Sequence, residues 1–425
     1  MKLIIVLSIL ASHLLAAYPF YYCLRNNFMP KVSHFACVSV LIFYDVGLFA
    51  ELFDYNILDP YFTAFFAADH AIQLKTLFVL LLAPWLFRIG SAVTSPRFQF
   101  EQERFNSSMG VNKRWLFYFV AISISVAFAV FGFQTFSQGE SIWATRTEFA
   151  SSWGPLIIIF YTPLHLLAFY VRQSDAATFR GKLLCLWLVI ATVASTISIG
   201  QRTNVLVPIL VFFLFRNKIT LRKFILFSSI TIIVASLLLP LFKWQHETGV
   251  PAGELIAATI STDVSRASLL TTVVEATATA RVHQIVPYPL AGYVYDLFYY
   301  IPRSLAPYKG WATADYFTSF ITFTPIDQLS WGFAFGAIEE VIINTGYWCF
   351  IPGLVIYGLI LGLLDRISLI IPSLVVPTRL GAIWLCGYSS SSIFLTFVTM
   401  SIVGIICHII FVNESTKLNL LKANL

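Results

Sequence analysis

The 425-residue chain is 58% hydrophobic and only 11% charged, with a formal net charge of +6. Soluble domains carry roughly 25% charged residues, so this composition excludes a soluble globular protein, and lipid must solvate most of the surface. A basic balance can indicate nucleic-acid binding in a soluble protein. Here Lys and Arg fall mostly in short loops between apolar segments, where they set membrane topology. We therefore expect membrane lipid, and no nucleic acid, around the chain.

The predicted elements are transmembrane helices, because each span needs about 20 apolar residues. The first apolar run continues to Leu24, which favours a first spanning helix over a cleaved signal peptide. The whole series predicts an all-α, polytopic membrane protein with about eleven transmembrane helices in one integral membrane domain, residues 1–425. The runs lie near 3–24, 32–53, 72–93, 115–134, 154–171, 183–200, 203–216, 223–242, 347–364, 368–388 and 391–412.

The short loops predict the orientation of these helices. Loops 94–114, 172–182 and 216–223 are rich in Lys and Arg. They lie two helices apart, so they share one side, which the positive-inside rule assigns to the cytoplasm. Loop 54–71 is acidic and faces the opposite side. This alternation predicts an N-terminus outside, a C-terminus inside and an external late loop.

The late loop, residues 243–331, is the longest segment between predicted spans. It contains several prolines and a Gly/Tyr-rich middle part that includes Tyr293. Tyrosine rings are amphipathic and suit the membrane–water boundary. We therefore expect short interfacial helices in this loop.

Three arginines on the external side are candidates for binding phosphate, because a guanidinium can hold phosphate oxygens in a bidentate manner. Arg202 lies in a polar turn, Gly-Gln-Arg-Thr-Asn, at the outer end of a helical hairpin, and Arg281 and Arg303 lie in the late loop. The alternative for Arg202 is a side chain that extends to the lipid headgroups. For Arg281 and Arg303 it is an ordinary hydrated loop with a few charges.

A polar helix start follows the late loop. Glu340 and Asn344 are four residues apart, so they share a helix face. The alternative interpretation is that Glu339 and Glu340 only stabilise the positive end of the helix. The sequence shows neither the ligand spacing of a metal site nor a phosphate-binding glycine-rich loop. We therefore expect no metal and no cofactor.

Several of these residues carry a resemblance to a known family. The segment 335–348, Phe-Gly-Ala-Ile-Glu-Glu-Val-Ile-Ile-Asn-Thr-Gly-Tyr-Trp, followed by 359–366, is similar to the C-terminal region of oligosaccharide repeat-unit polymerases, the Wzy-type O-antigen polymerases of bacterial envelopes. The turn at 200–204 resembles their Gly-x-Arg turn. Gly292-Tyr293 and 301–303, Ile-Pro-Arg, resemble Gly-x-Tyr and Pro-Arg elements of the late loop. Arg281 and Gly292 match an Arg-x(10)-Gly pattern, which occurs once here and twice in some members.

The resemblance implies a reaction and its partners. It implies a metal-independent membrane glycosyltransferase that joins undecaprenyl-diphosphate-linked oligosaccharide units into O-antigen or another surface polysaccharide. The growing chain leaves its lipid diphosphate and moves to the non-reducing sugar of a new unit. This takes place at the periplasmic face of the bacterial inner membrane, and a chain-length regulator protein is an expected partner.

The resemblance also implies roles for Arg202, Arg281, Gly292, Arg303 and Glu340, and the residue types around them give further candidates. Catalytic roles are expected for Arg281, Arg303 and Glu340. Glu275 and Asp296 are further candidates for the base that activates the acceptor hydroxyl. Substrate-binding roles are expected for the residues at the polar turn, the Gly-Tyr element and the helix that follows the loop: Arg202, Gly292, Tyr293 and Asn344.

Two other functions remain open from the sequence. One is an O-antigen ligase, which shares the architecture but transfers the chain to the lipid A core. The other is a flippase or transporter of polysaccharide units, for which charged residues in the middle of many helices are typical. Most predicted spans lack charge here, with Asp45, Lys75, Arg88 and Arg379 as the main exceptions. That distribution favours an enzyme working at the membrane surface.

Overall fold

The fold is known from a computed structural model, which describes residues 2–26, 28–52, 62–96, 266–280, 282–298, 301, 305–306, 308–329, 333, 335–371, 374–387, 398 and 401–402. This part of the chain is helical and contains no β-strand. The predicted spans between 115 and 242 lie outside the described residues, and 391–412 is described only at three positions. The count of about eleven helices therefore stays a prediction.

Four helices in the described ranges are long and apolar enough to cross a membrane: Lys2–Arg25, Val32–Phe49, His70–Thr94 and Tyr347–Ile370. They correspond to the predicted spans 3–24, 32–53, 72–93 and 347–364, so the helical conformation and spanning length of these segments are confirmed. The first of them is α1 (Lys2–Arg25) and the third is α4 (His70–Thr94). The second consists of α2 (Val32–Val40), a π-helical turn (Leu41–Asp45) and α3 (Val46–Leu52).

The late loop folds into short helices within its described part, as the sequence predicts. These are α5 (Ala267–Thr279), α6 (Val282–Ile285), α7 (Ala291–Leu297), α8 (Thr313–Thr322) and a 3-10 turn (Ile326–Gln328). Beyond them lie α9 (Ala337–Thr345), a 3-10 turn (Tyr347–Cys349), α10 (Phe350–Ile370) and α11 (Val375–Trp384).

The helix α5 differs from the expected interfacial arrangement. Its residues from Ala267 to Val274 are all buried, and it packs against α4 and α9. Because these eight consecutive residues cover every side of the helix, other parts of the protein must surround it. The first helix of the late loop is therefore part of the helix assembly. Of the loop tyrosines, Tyr288 and Tyr308 are exposed, whereas Tyr293 is half-buried.

Two groups of loops lie at opposite ends of the bundle. At one end Lys31 Nζ donates to the Pro96 carbonyl at 2.9 Å, and Arg379 forms a buried ion pair with Asp365 at 3.3 Å. At the other end Thr63 Oγ1 donates to a carboxylate oxygen of Glu275 at 2.6 Å. Loops predicted to share a side of the membrane thus share an end of the bundle. Which end faces the cytoplasm stays a prediction.

Small residues allow α4 and α10 to touch along their backbones. A methyl group at Gly90 would collide with the Val355 carbonyl oxygen, and one at Gly358 would collide with the Phe87 carbonyl oxygen. Thr94 Oγ1 donates across this contact to the Leu359 carbonyl at 2.8 Å. Glycines at a helix crossing permit close backbone approach where lipid provides no hydrophobic driving force.

We expect Gly358→Leu to separate α4 from α10 and to lower the thermal unfolding midpoint of the purified protein in detergent. Overpacking of this kind costs about 1–3 kcal/mol. Ile360→Leu is the matched control, because Ile360 is exposed on the same helix and its change should leave the midpoint unaltered. Equal midpoints for both variants would contradict the close crossing.

Candidate functional site

The helix α9 carries the polar residues that the sequence singles out, and it starts at Gly336. Glu339 Oε2 accepts a hydrogen bond from the Gly336 backbone N–H at 3.1 Å, so this carboxylate caps its own helix. Its other oxygen accepts from Tyr44 Oη at 2.7 Å. The capping interpretation is thus confirmed for Glu339, and its side chain also ties α9 to the π-helical turn of the second span.

Glu340, one residue further along α9, has different surroundings from Glu339. It is buried, at 2% exposure, and it acts electrostatically on the ionisation of Tyr293. Consecutive helical residues are about 100° apart around the axis, which explains why two adjacent glutamates serve different surroundings. The charge of Glu340, the predicted catalytic carboxylate, therefore acts on Tyr293, the predicted substrate-binding tyrosine.

Asn344 joins three helices through its side chain. Its Oδ1 accepts from the Gly292 backbone N–H at 3.0 Å, and its Nδ2 donates to Thr313 Oγ1 at 2.8 Å and to the Glu340 carbonyl at 2.9 Å. Both donors of the amide are therefore used within the protein. The Asn344 carbonyl accepts in addition from the Leu290 N–H at 3.1 Å. We call Gly292, Tyr293, Thr313, Glu340 and Asn344 the Asn344 cluster.

Gly292 fits the cluster because it has no side chain. A methyl group there would collide with Thr313 Oγ1 and would lie 3.1 Å from Asn344 Oδ1. The close approach of α7 to α8 and α9 thus requires glycine at this position. These contacts give Gly292 and Asn344 a positioning role for the Gly-Tyr element.

Tyr293 is held at the edge of the cluster. Its hydroxyl oxygen lies 3.5 Å from Tyr357 Oη on α10. Burial, together with Tyr357 and Glu340, raises the pKa of the Tyr293 phenol well above its ordinary value. The hydroxyl therefore stays protonated at neutral pH and can donate a hydrogen bond.

The other predicted site residues fall in two groups. Arg202, Arg281 and Arg303 lie outside the described residues. Of the two alternative bases, Glu275 is half-buried on α5 and accepts from Thr63, and Asp296 is buried on α7. Asp296, like Glu340, acts electrostatically on the ionisation of Tyr293.

Two buried cations near these elements were not predicted as site residues. Arg266 is 7% exposed at the start of α5; its Nη2 donates to the Gly387 carbonyl at 3.0 Å, and its Nε has no hydrogen-bond partner. Lys309 is also buried, with Nζ 3.1 Å from the Ile301 carbonyl and 5.1 Å from the Tyr295 ring centre. In the sequence both look like charges of a hydrated loop. The sequence feature that could have predicted the burial of Arg266 is the apolar run directly after it, because such a run indicates that a buried helix starts there.

The polar groups of this region offer carboxylates, a protonated phenol and buried cations at one end of the bundle. Such a set can orient a hydroxyl-rich substrate, accept a proton from it and stabilise negative charge. Comparisons of the chain with protein families, with curated proteins and with solved structures found no match.

Proposed function

We propose that the protein polymerises undecaprenyl-diphosphate-linked oligosaccharide repeat units into O-antigen or a related surface polysaccharide. It would act as a metal-independent membrane glycosyltransferase at the periplasmic face of the bacterial inner membrane. The proposal starts from the resemblance of the Gly-x-Arg turn, the late loop and the segment 335–348 to Wzy-type polymerases.

One observation carries the proposal beyond the resemblance. Gly292, in the Gly-Tyr element, and Asn344, in the C-terminal segment, are 52 positions apart, yet the Gly292 N–H bonds directly to the Asn344 side chain. Two separate parts of the resemblance thus meet, and the charge of Glu340 acts on Tyr293. Residues that form one catalytic site must be brought together in this way from distant positions.

The chemistry of the proposed reaction suits the residues. A diphosphate leaving group develops negative charge, which cations at fixed positions stabilise. Arg281, Arg303 and Arg202 are assigned to this role. Glu340 is assigned to the acceptor hydroxyl, and Tyr293 to hydrogen bonding with the sugar. Gly292 and Asn344 hold the Gly-Tyr element against α9.

Deletion of the gene in its host tests this proposal by lipopolysaccharide gel. Loss of a polymerase should leave the lipid A core carrying a single repeat unit, because unit synthesis, export and ligation continue. Loss of all O-antigen, single units included, would contradict the proposal and point to the ligase or the flippase. Complementation with the full chain should restore the long ladder.

One observation favours transport as the second candidate. His13 and Asp45 form a buried pair at 2.7 Å within two membrane-spanning helices. Ionisable residues inside spans are expensive and mark ion or substrate pathways. The same gel distinguishes the two functions, since loss of a flippase removes the single repeat unit as well.

A further inference from the structure

The buried pair of His13 and Asp45 lies away from the Asn344 cluster and has no role in the proposed polymerisation. His13 is fully buried on α1 and Asp45 is 4% exposed at the end of the π-helical turn. His13 Nδ1 lies 2.7 Å from Asp45 Oδ1, and Nε2 lies 2.8 Å from the Leu80 carbonyl on α4. Three spanning helices thus meet at one imidazole ring.

The two hydrogen bonds of the ring define how many protons the pair holds. A backbone carbonyl only accepts, so Nε2 must carry a hydrogen. A separation of 2.7 Å between Nδ1 and Oδ1 requires one more hydrogen between them, since two lone pairs would otherwise face each other in a buried space. This hydrogen belongs either to an imidazolium or to a carboxylic acid. The pair is electrically neutral in both forms and binds one shared proton.

No other charged group of the described residues takes the place of His13 as the hydrogen-bond or ion-pair partner of Asp45. In the described part of the chain, the only hydrogen-bond or ion-pair partner of Asp45 is His13. The cations of the adjoining elements contact other groups. Three of them lie over aromatic rings: Lys2 over Phe66, Lys75 over Tyr347 and Arg88 over Trp85. His34 contacts Cys23 and Lys31, and Arg266 bonds to the Gly387 carbonyl. The remaining titratable groups on these elements are Tyr18, Tyr21, Tyr22 and Arg25 on α1, Cys37 on α2, Tyr44 in the π-helical turn, Glu51 on α3, His70 on α4 and Glu275 on α5.

The second oxygen of Asp45, Oδ2, is buried and lacks a hydrogen-bond partner in the described part of the chain. The same is true of Thr76 Oγ1 and Glu51 Oε1. Buried polar atoms are nearly always paired with protein or water. Thr76 lies one helical turn before Leu80 on α4, on the face that receives His13. Glu51 lies near the end of α3, where its other oxygen accepts from the Phe66 N–H at 3.3 Å.

The three unpaired oxygens are ordered by depth. At a rise of about 1.5 Å per residue, Asp45 is roughly 10 Å from the end of α3, and Thr76 roughly 9 Å from the start of α4. Glu51 is close to the rim of the same end of the bundle, where α3 ends and α4 begins. The π-helical turn places Asp45 out of regular α-helical register, and such turns occur frequently at functional sites.

We propose that His13 and Asp45 form an exchangeable proton-binding site inside the bundle, reached by water past Glu51 and Thr76 from the end that carries α5 to α9. The bound species is a single proton held between Nδ1 and Oδ1. It leaves as a hydrated proton through Oδ2, and a proton from water replaces it by the same route.

Solid-state NMR on the full chain in lipid tests the site without any substrate. The chain has seven histidines, so labelling with ¹⁵N-histidine gives few signals, and His13→Gln identifies the one from His13. In the wild type we expect the hydrogen at Nδ1 to exchange with D₂O. Asp45→Asn should leave Nδ1 without a hydrogen, because the amide can donate to it, and His283→Asn, at an exposed residue on α6, should leave the His13 signal unchanged.

Thr76→Val tests the route separately, because it removes a hydroxyl without changing the pair. We expect slower exchange with D₂O at an unaltered His13 chemical shift. Exchange as fast as in the wild type would overturn the route. A wild-type hydrogen at Nδ1 that does not exchange would overturn the site and leave a static pair. These outcomes do not depend on whether the protein polymerises oligosaccharides, which the gel tests independently.

Discussion

Replacement of Arg281 or Arg303 by alanine should convert long O-antigen chains into core with a single repeat unit in a complemented deletion strain. Each arginine is assigned to the diphosphate leaving group, whose charge develops in the transition state. Removing one positioned donor of this kind costs about 100-fold or more in rate. The lipopolysaccharide gel measures the outcome, and immunoblotting of the membrane fraction shows that the variant is present at wild-type level.

The matched control is His283→Ala, since His283 is an exposed residue of the same loop, on α6. It should keep the long ladder. Lysine at 281 or 303 should recover only part of the activity, because an ammonium group keeps the charge but loses the planar, bidentate geometry. Long chains in both alanine variants would contradict the assignment of these arginines while leaving the polymerase proposal open.

Gly292→Ala should abolish long chains and destabilise the protein, because the added methyl group collides with Thr313 Oγ1. Forcing an extra methyl group into a close contact costs about 1–3 kcal/mol. The collision also displaces the Gly-Tyr element from Asn344. Both the ladder on a gel and the thermal unfolding midpoint of the purified protein should change.

A second substitution identifies the cause. Thr313→Ala removes the colliding hydroxyl at the expense of one hydrogen bond to Asn344 Nδ2. The double variant Gly292→Ala/Thr313→Ala should therefore be less impaired than Gly292→Ala alone, which is a favourable coupling between contacting residues. Thr345→Ala serves as the control, because that hydroxyl bonds only to its own helix, at the Val341 carbonyl. Strict additivity in the cycle would mean that Gly292 acts for another reason.

The two glutamates at the start of α9 show how far local patterns reach. The four-residue spacing of Glu340 and Asn344 predicts a shared side of the helix, and both residues are buried. The pairing of Glu339 with Tyr44 joins residues 295 positions apart, and no local period contains that information. The same limit applies to Arg266, whose burial depends on Gly387 and on the helices around α5.

The sequence by itself determined that the protein is a helical membrane protein, where four of its spans lie and which loops share an end. Those properties depend on apolar run length and on the placement of Lys and Arg, which are local and additive. Only the tertiary structure decided that α5 is buried inside the assembly, that Gly292 meets Asn344 and that His13 binds Asp45. These contacts depend on how helices distant in sequence pack together. The sequence alone offers several possible partners of similar polarity for each of these residues, and only the packing determines which of them is in contact.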